Sequence, residues 1–311
     1  SASVAQHLNY RLAVGLSKGT VLNNQVALNS FVAVVGDMQC KSLKPEHFDK
    51  WFATRLSQVS PATTNQNFAS IKVWAQWAQR YGHLSATVPY TAGVRRVHEP
   101  ARDPLRVPVD QFPHLLDSAP DPLARMLVAT GLYLFVRQSE AMTIRHCDVD
   151  LNGGSIHVRV WKTRQVDDMP ICSELDDELR RYLRWYSQQV PVRPGNPLMP
   201  RRGGGHWVTG AYQRHAPMVL QPEKPLLHPH VIVQRTLRAA GIEIGKGEGC
   251  HTLRRSGARA LYDALCEQGH DRSIRYVQRM LHHASIAMTE RYIGLTADVA
   301  ASNKALRGKP M

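Results

Sequence analysis

The sequence has 311 residues, 43% of them hydrophobic, and a formal net charge of +14. This length suffices for two domains with cores of their own, and no apolar run is long enough to cross a bilayer. The first residues lack the basic and apolar regions of a secretory signal. We therefore expect no membrane partner and a cytoplasmic protein, located in the cytoplasm or nucleoid of a bacterial host.

The cysteines and the distribution of charge further limit the class of protein to which this sequence can belong. The five cysteines are scattered and form no CxxC pair, so neither a disulfide framework nor a zinc module is supported. Residues 1–100 carry 10 basic and 4 acidic side chains, and residues 101–311 carry 29 and 21. Because both parts are basic, we favour a polyanion that spans both, and nucleic acid above all, over a charge that serves solubility alone.

Residues 1–88 predict a small all-helical domain. Apolar residues recur at helical spacing in residues 20–35, 44–56 and 60–82. In the last of these, Ser60 and Pro61 predict the N-cap and first residue of a helix that Gly82 ends. Residues 89–108 hold four prolines without periodicity, which predicts an extended, basic interdomain linker.

Residues 109–311 predict a second domain of mixed composition. Helical patterns cover residues 110–119, 121–136 and 174–190, and helices resume at residue 228. Between them, alternating residues 155–162, a turn at 163–168 and a strand at 169–171 predict a β-hairpin. The Pro- and Gly-rich residues 191–226 predict an irregular surface stretch.

Several local patterns could form part of a functional site, and each also has a purely structural interpretation. The glycine-rich GIEIGKG at 241–247 lacks the spacing and the Ser/Thr of a phosphate loop. His251 and Arg254 would share a face at a helix start, which suits a phosphate or is merely a solvated basic end. Arg137 lies in an apolar helical pattern, where Glu140 would pair with it, as a phosphate grip or as a structural ion pair.

Two further patterns lie in the hairpin and near the end of the chain. Lys162 enters the hairpin turn, where it could touch a phosphate ester or be simply exposed. In LHHASIAMTERY, residues 281–292, Ser285 predicts the cap of a short helix carrying Thr289 and Tyr292 on one face. The two adjacent histidines have no further ligands nearby, so a metal site is not indicated.

Taken together, these positions resemble the tyrosine recombinase, or phage integrase, family. The matches are Arg-x-x-Glu, a hairpin lysine eight residues before a strand proline, His-x-x-Arg, and Leu-x-His with a nine-residue step to tyrosine. Residues 60–72 also resemble the family's helical core-binding domain. The matching residues are Arg137, Glu140, Lys162, Pro170, His251, Arg254, Leu281, His283 and Tyr292.

The resemblance implies a fold and a catalytic site. The fold would be mainly α with a small β-sheet, with a SAM-like core-binding domain at 1–88 and an α+β catalytic domain at 109–311 whose tail spans 293–311. Tyr292 would be the nucleophile, and no cofactor or metal would be needed. The remaining roles are phosphate stabilisation by Arg137, Arg254 and His283, general acid by Lys162, acid/base by His251, and support of Arg137 by Glu140.

The resemblance also implies partners and an activity. The protein would recombine DNA at attachment or core sites through a 3′-phosphotyrosine and a Holliday junction, as a homotetramer on DNA that is monomeric or weakly associated when free. An accessory DNA-bending protein is compatible with this. Phage integration is one such activity, and helix signals near residue 20 favour a compact, Xer-like enzyme or an integrase without an arm-binding domain. The tail would dock on a neighbouring protomer or pack on its own chain.

The sequence departs from the family pattern at two positions. Three rival functions can be set against a recombinase, and the sequence argues against a silent relative, because no expected catalytic position is missing, and against a metal-dependent enzyme. The family's usual glycines are replaced by Phe135 in the first motif and by His282 before the conserved histidine. One rival activity is that of a type IB topoisomerase, which rejoins the same strand, and another is a catalytically silent DNA-binding relative. A metal-dependent nuclease or transposase would need an acidic cluster, which the motifs do not supply.

Overall fold

The computed structural model describes residues 2–98, 103–160, 165–208 and 211–296, with the side chains of 204–208 and 211–218 left aside. The chain divides into two compact units, residues 1–102 and 103–311. No helix in these ranges is both long and apolar enough to span a membrane.

The first unit consists of four helices around an aromatic core. Phe31, Phe48, Trp51 and Trp74 are almost fully buried within it. Ser60 caps the fourth helix by accepting a hydrogen bond from the Thr63 amide, as predicted. The helices are α1 (Ala2–Ala13), α2 (Lys18–Val35), α3 (Pro45–Gln58) and α4 (Pro61–Arg80).

Helix α1 was not predicted, because polar residues occupy much of its inner face. Ser3 and His7 are buried there together with Val4. The His7 ring packs edge-on against Trp77, with 5.2 Å between the ring centroids. A buried histidine of this kind gives no apolar periodicity for sequence analysis to detect.

Residues 89–108, the predicted linker, make contacts at both ends. The earlier part contacts the first unit, and the later part contacts the second. Asn65 exchanges two hydrogen bonds with the backbone of Val97, and Tyr90 is buried in the first core. Beyond residues 99–102, which lie outside the described residues, the Val107 amide donates to Ser256 Oγ at 2.8 Å.

The second unit combines eight helices, within its described part, with two small antiparallel sheets. In chain order, the first three strands form one sheet and the last two form the other. The helices are α5 (Phe112–Asp117), α6 (Pro122–Tyr133), α7 (Gln138–Ala141), α8 (Ser173–Gln189), α9 (Pro229–Ala239), α10 (Cys250–Glu267), α11 (Ser273–Met280) and α12 (Ile286–Ile293). The strands are β1 (Val149–Asp150), β2 (Ser155–Val160), β3 (Gln165–Pro170), β4 (Pro200–Val208) and β5 (Ala211–Pro225).

The structure corrects three predictions in this unit. Residues 191–226 are not irregular throughout, because β4 and β5 pair across bulges that accommodate their glycines and prolines. Residues 165–168 belong to a strand and not to the predicted hairpin turn, since β3 begins at Gln165 and includes Asp167 and Asp168. The apolar helix predicted to contain Arg137 ends at Tyr133, and Arg137 instead precedes α7 as its N-cap.

Close packing of α6 against α10 holds the centre of this unit. Gly257 on α10 lies so near α6 that a Cβ atom there would come within 1.7 Å of the Leu132 carbonyl oxygen. Gly131 on α6 meets Leu253 of α10 in the same way, at 2.8 Å from its Cβ. The two glycines therefore set the position of the first turns of α10 relative to the segment that follows α6.

Candidate active site

Six of the seven predicted site residues come together at the ends of three helices. Arg137 and Glu140 belong to α7 and its N-cap, whereas His251 and Arg254 lie in the first turns of α10. The other two belong to the segment after α11: His283 lies in the turn before α12, and Tyr292 lies in the last turn of α12. The seventh, Lys162, lies outside the described residues.

Glu140 links the two arginines of the site. Its carboxylate accepts hydrogen bonds from the Arg137 backbone amide at 2.7 Å and from Arg137 Nη1 at 2.9 Å. The second carboxylate oxygen lies 3.6 Å from Arg254 Nη1. With only 1% of its side chain exposed, Glu140 fixes both guanidinium groups in a water-poor environment.

Arg254 is the most deeply buried cation of the site. Its side chain is 2% exposed, and Nη2 donates to the Leu281 carbonyl at 2.6 Å. Nη1 makes no hydrogen bond to any residue that the structure describes. Burial lowers the pKa of Arg254 to about 10, which leaves the side chain charged at neutral pH. A buried, charged donor with spare capacity suits an anionic oxygen.

The Tyr292 hydroxyl lies beside His251 and the arginines. It donates to the His251 carbonyl oxygen at 3.4 Å, a long and replaceable contact. Burial raises the pKa of Tyr292, against the opposing charges of Arg254, Arg255 and Arg137. The hydroxyl is therefore protonated at neutral pH and needs a base before it can attack.

His251 lies at the solvent-facing side of the site. Partial desolvation of its ring lowers its pKa, and the charges of Arg254, Arg255 and Arg137 lower it further. The ring is thus uncharged at neutral pH and can accept a proton. It lies at the start of α10, three residues before Arg254 as predicted, and the two differ in burial, since His251 is exposed while Arg254 is buried.

His283 is held by α12 itself. Its Nδ1 lies 3.2 Å from Thr289 Oγ1, and its ring meets the Tyr292 ring edge-on at a centroid distance of 5.1 Å. Ser285 caps α12 by accepting from the Met288 amide, as predicted, so Thr289 and Tyr292 lie on successive turns. Thr289 is fully buried. The sequence predicted the helix that carries Thr289 and Tyr292, but it did not predict the contact of Thr289 with His283.

The two unusual substitutions share one backbone property. Phe135 and His282 both adopt the left-handed conformation, with φ of 54° and 51°. Glycine reaches this region without strain, whereas other residues enter it at a cost of about 1–2 kcal/mol. Histidine is among the side chains that tolerate it better. The positions thus keep the backbone form that a glycine would favour.

Two acidic residues near the site were not singled out from the sequence. Glu248 accepts from Arg255 and from the Thr252 hydroxyl, and so supports the start of α10. Asp167 on β3 lies 3.0 Å from His282 Nε2. The first has a sequence signal, an acidic residue four positions before a helical threonine, whereas the second depends on a long-range contact. Among the described residues, no group of His, Cys, Asp or Glu is arranged to hold a metal ion.

The described part of the site thus gathers two arginines, two histidines and a buried glutamate around a tyrosine hydroxyl. Residues 109–298 match the model of the phage integrase family, and this chain belongs to that family. The resemblance seen in the motifs and the mainly helical fold class are thus confirmed, and the chain is placed among the site-specific recombinases.

Curated relatives agree with this placement, and solved structures share the fold. The tyrosine recombinase XerD of Ralstonia nicotianae is 27% identical over 253 residues, covering 78% of this chain and 72% of the relative. The tyrosine recombinase XerC of Rhodospirillum centenum is 24% identical over 302 residues, covering 91% and 80%. A lambda integrase dimer bound to a COC′ core site superposes with a TM-score of 0.69 at 15% identity, covering 94% and 76%. XerH bound to a palindromic difH substrate gives a TM-score of 0.67 at 16% identity, covering 93% and 80%.

Proposed function

We propose that the protein cleaves and rejoins DNA at specific sites by transferring a phosphodiester to Tyr292. The Tyr292 oxygen bonds to the phosphorus while the bond to the 5′-oxygen breaks, which leaves a 3′-phosphotyrosine and a free 5′-hydroxyl. His251 accepts the tyrosine proton, and Lys162 donates a proton to the departing oxygen. Because the phosphotyrosyl bond retains the energy of the broken link, the reverse step needs no ATP.

The cationic groups stabilise the charge that develops on the non-bridging oxygens. Arg137, Arg254 and His283 supply donors, and Glu140 holds the two arginines in place. Losing one preorganised donor of this kind costs on the order of 3–4 kcal/mol in barrier height. The observation that carries the proposal is Nη1 of buried Arg254, which makes no hydrogen bond within the described part of the chain and belongs to a guanidinium that acts on the protonated Tyr292 hydroxyl.

We extend the proposal to the assembly on DNA. The basic charge of both parts of the chain supports double-stranded DNA as the partner of both units. A lambda integrase tetramer bound to a Holliday junction matches this chain with a TM-score of 0.69 at 16% identity, covering 94% of this chain and 76% of that one. A homotetramer that exchanges strands in pairs, with or without a DNA-bending accessory protein, follows as the proposed active form.

Covalent trapping tests the chemistry. Nicked duplexes of random sequence are incubated with the protein in EDTA, covalent complexes are recovered under denaturing conditions, and the enriched sequence is rebuilt as a suicide duplex. We expect a protein–DNA adduct with the wild type and none with Tyr292→Phe. An adduct that survives this change, or that forms only with added magnesium, contradicts the mechanism.

A second assay separates recombination from strand relaxation. Two duplexes that carry the selected sequence are mixed, and recombinant joints are detected across them. Joints that depend on Tyr292 support a recombinase, whereas loss of supercoils without joints between sites supports a topoisomerase.

A further inference from the structure

His282 lies where α11 ends and the turn that carries His283 begins. The His282 amide donates to the Arg279 carbonyl and the His283 amide donates to the Gln278 carbonyl, at 2.9 and 3.1 Å. This pair of bonds closes a helix end whose left-handed residue is His282, a position suited to glycine. These bonds join backbone atoms alone, so the imidazole of His282 is available for a contact outside the turn.

That contact is made with the hairpin formed by β2 and β3. His282 Nε2 lies 3.0 Å from Asp167 Oδ2, and the two side chains are 12% and 34% exposed. Asp167 pairs with Val158 in the middle of the hairpin, five residues after Lys162. The bond thus joins the segment that carries His283 to the strand that follows the predicted general acid.

The other strand of the hairpin, β2, is held by a separate ion pair. Arg159 of β2 donates to both carboxylate oxygens of Asp148, at 2.8 and 2.9 Å. On β3, in contrast, Gln165 and Val166 are exposed before Asp167 is reached. The His282 contact therefore restrains β3 at Asp167, five residues after Lys162 in the sequence.

We propose that His282 and Asp167 form a latch that holds β3 against the turn before α12, and that this latch sets the rate of the leaving-group protonation assigned above to Lys162. His282 is a positioning residue, and the inference rests on the proposed roles of Tyr292 and Lys162. It explains why an imidazole replaces glycine at a left-handed position.

A sulfur leaving group tests the latch. Duplexes are prepared with either oxygen or sulfur as the bridging 5′ atom at the cleavage point, because a thiolate departs without a general acid. His282→Gly keeps the turn, and relieves its backbone, while removing the imidazole. We expect His282→Gly and Asp167→Ala to slow cleavage of the oxygen substrate at least tenfold, and to cleave the sulfur substrate within about twofold of the wild type.

The matched control is Asp168→Ala, which removes the adjacent carboxylate and its contact with His157. We expect this variant to cleave both substrates at the wild-type rate. The double variant of His282→Gly with Asp167→Ala should be no slower than either single one. Wild-type rates on the oxygen substrate in the two latch variants, or equal losses on both substrates, would overturn the proposal.

Amide hydrogen exchange gives a readout that does not depend on catalysis. In His282→Gly, we expect faster exchange for the amides of residues 165–169 than in the wild type, with exchange in α8 unchanged. Unchanged exchange in β3 would overturn the latch. Failure of the wild type to form a Tyr292-dependent adduct would instead overturn the proposed function, while exchange still decides whether the latch exists.

Discussion

At the scale of single residues, Glu140 is the acidic partner that the two arginines of the site share. Its carboxylate is buried between Arg137 and Arg254, so each of the three charges depends on the others for compensation. A buried pair is costly to break, because removing one partner leaves an uncompensated charge worth about 3–5 kcal/mol. The motif spacing predicted the Arg137 contact, whereas the approach to Arg254 results from packing between α6 and α10.

The Glu140→Gln variant tests this arrangement. The amide of glutamine would turn donors toward a guanidinium group, so at least one arginine should shift. Since a displacement of about 1 Å at a reacting centre costs about 10²-fold in rate, we expect a loss of that order in single-turnover cleavage of the suicide duplex. Affinity for the same duplex, measured by fluorescence anisotropy, should change much less. The control is Glu267→Gln at an exposed position, and equal cleavage rates in the two variants would contradict the role.

The lowered pKa of His251 predicts how the rate of DNA cleavage depends on pH on the acid side. Its folded pKa lies below 6.5, so the ring is uncharged above that pH and becomes protonated as the pH falls further. Because only the uncharged ring accepts the Tyr292 proton, we expect cleavage to slow with falling pH, with a midpoint below 6.5. His251→Gln should lower the rate and flatten this limb in single-turnover pH profiles. A midpoint above 6.5, or an unchanged limb in the variant, would exclude His251 as the base.

Between elements, the decisive feature is the direct packing of α6 on α10. The sequence predicted both helices, and it predicted the cap at Ser285 from local chemistry. It did not predict the end of α6 at Tyr133, because apolar periodicity continues through Phe135. The left-handed turn at Phe135 arises where the chain passes Gly257, and that tertiary contact leaves no periodic signal. Strands β4 and β5 were missed for a similar reason, since bulges rather than alternation accommodate their composition.

Gly257→Ala tests this packing. The added methyl group would meet the Leu132 carbonyl carbon and oxygen, which are backbone atoms that cannot turn aside. Overpacking of this kind typically costs about 1–3 kcal/mol, so we expect a lower free energy of unfolding in urea titrations and weaker cleavage as Arg254 shifts. Gly245→Ala is the control, because nothing lies within 4 Å of a Cβ there and its backbone is not left-handed. A Gly257→Ala variant as stable as this control would show that α6 and α10 adjust freely.

At the scale of the whole molecule, each of the two units has its own core and its own response to acid. In the first unit, His7 is 1% exposed, and neither ring nitrogen has a hydrogen-bond partner among the described residues. Burial, reinforced by Arg11, lowers the pKa of His7 to about 4. No pattern in the sequence indicates the burial of His7, because a histidine on a helix face is buried or exposed according to the packing around it.

The pKa of His7 predicts a loss of stability in mild acid. In the unfolded state His7 binds a proton near pH 6.5, whereas in the folded state it does so only near pH 4. The free energy of unfolding is therefore unaffected by this group above pH 6.5 and decreases as the pH falls from 6.5 toward 4. At 1.36 kcal/mol per pH unit, the loss is at most about 3 kcal/mol. In His7→Phe, which retains an aromatic ring beside Trp77, this part of the pH dependence should disappear. Urea unfolding followed by tryptophan fluorescence at pH 7.5 and 4.5 measures the difference, and parallel losses in wild type and variant would mean that His7 is already protonated in the folded protein.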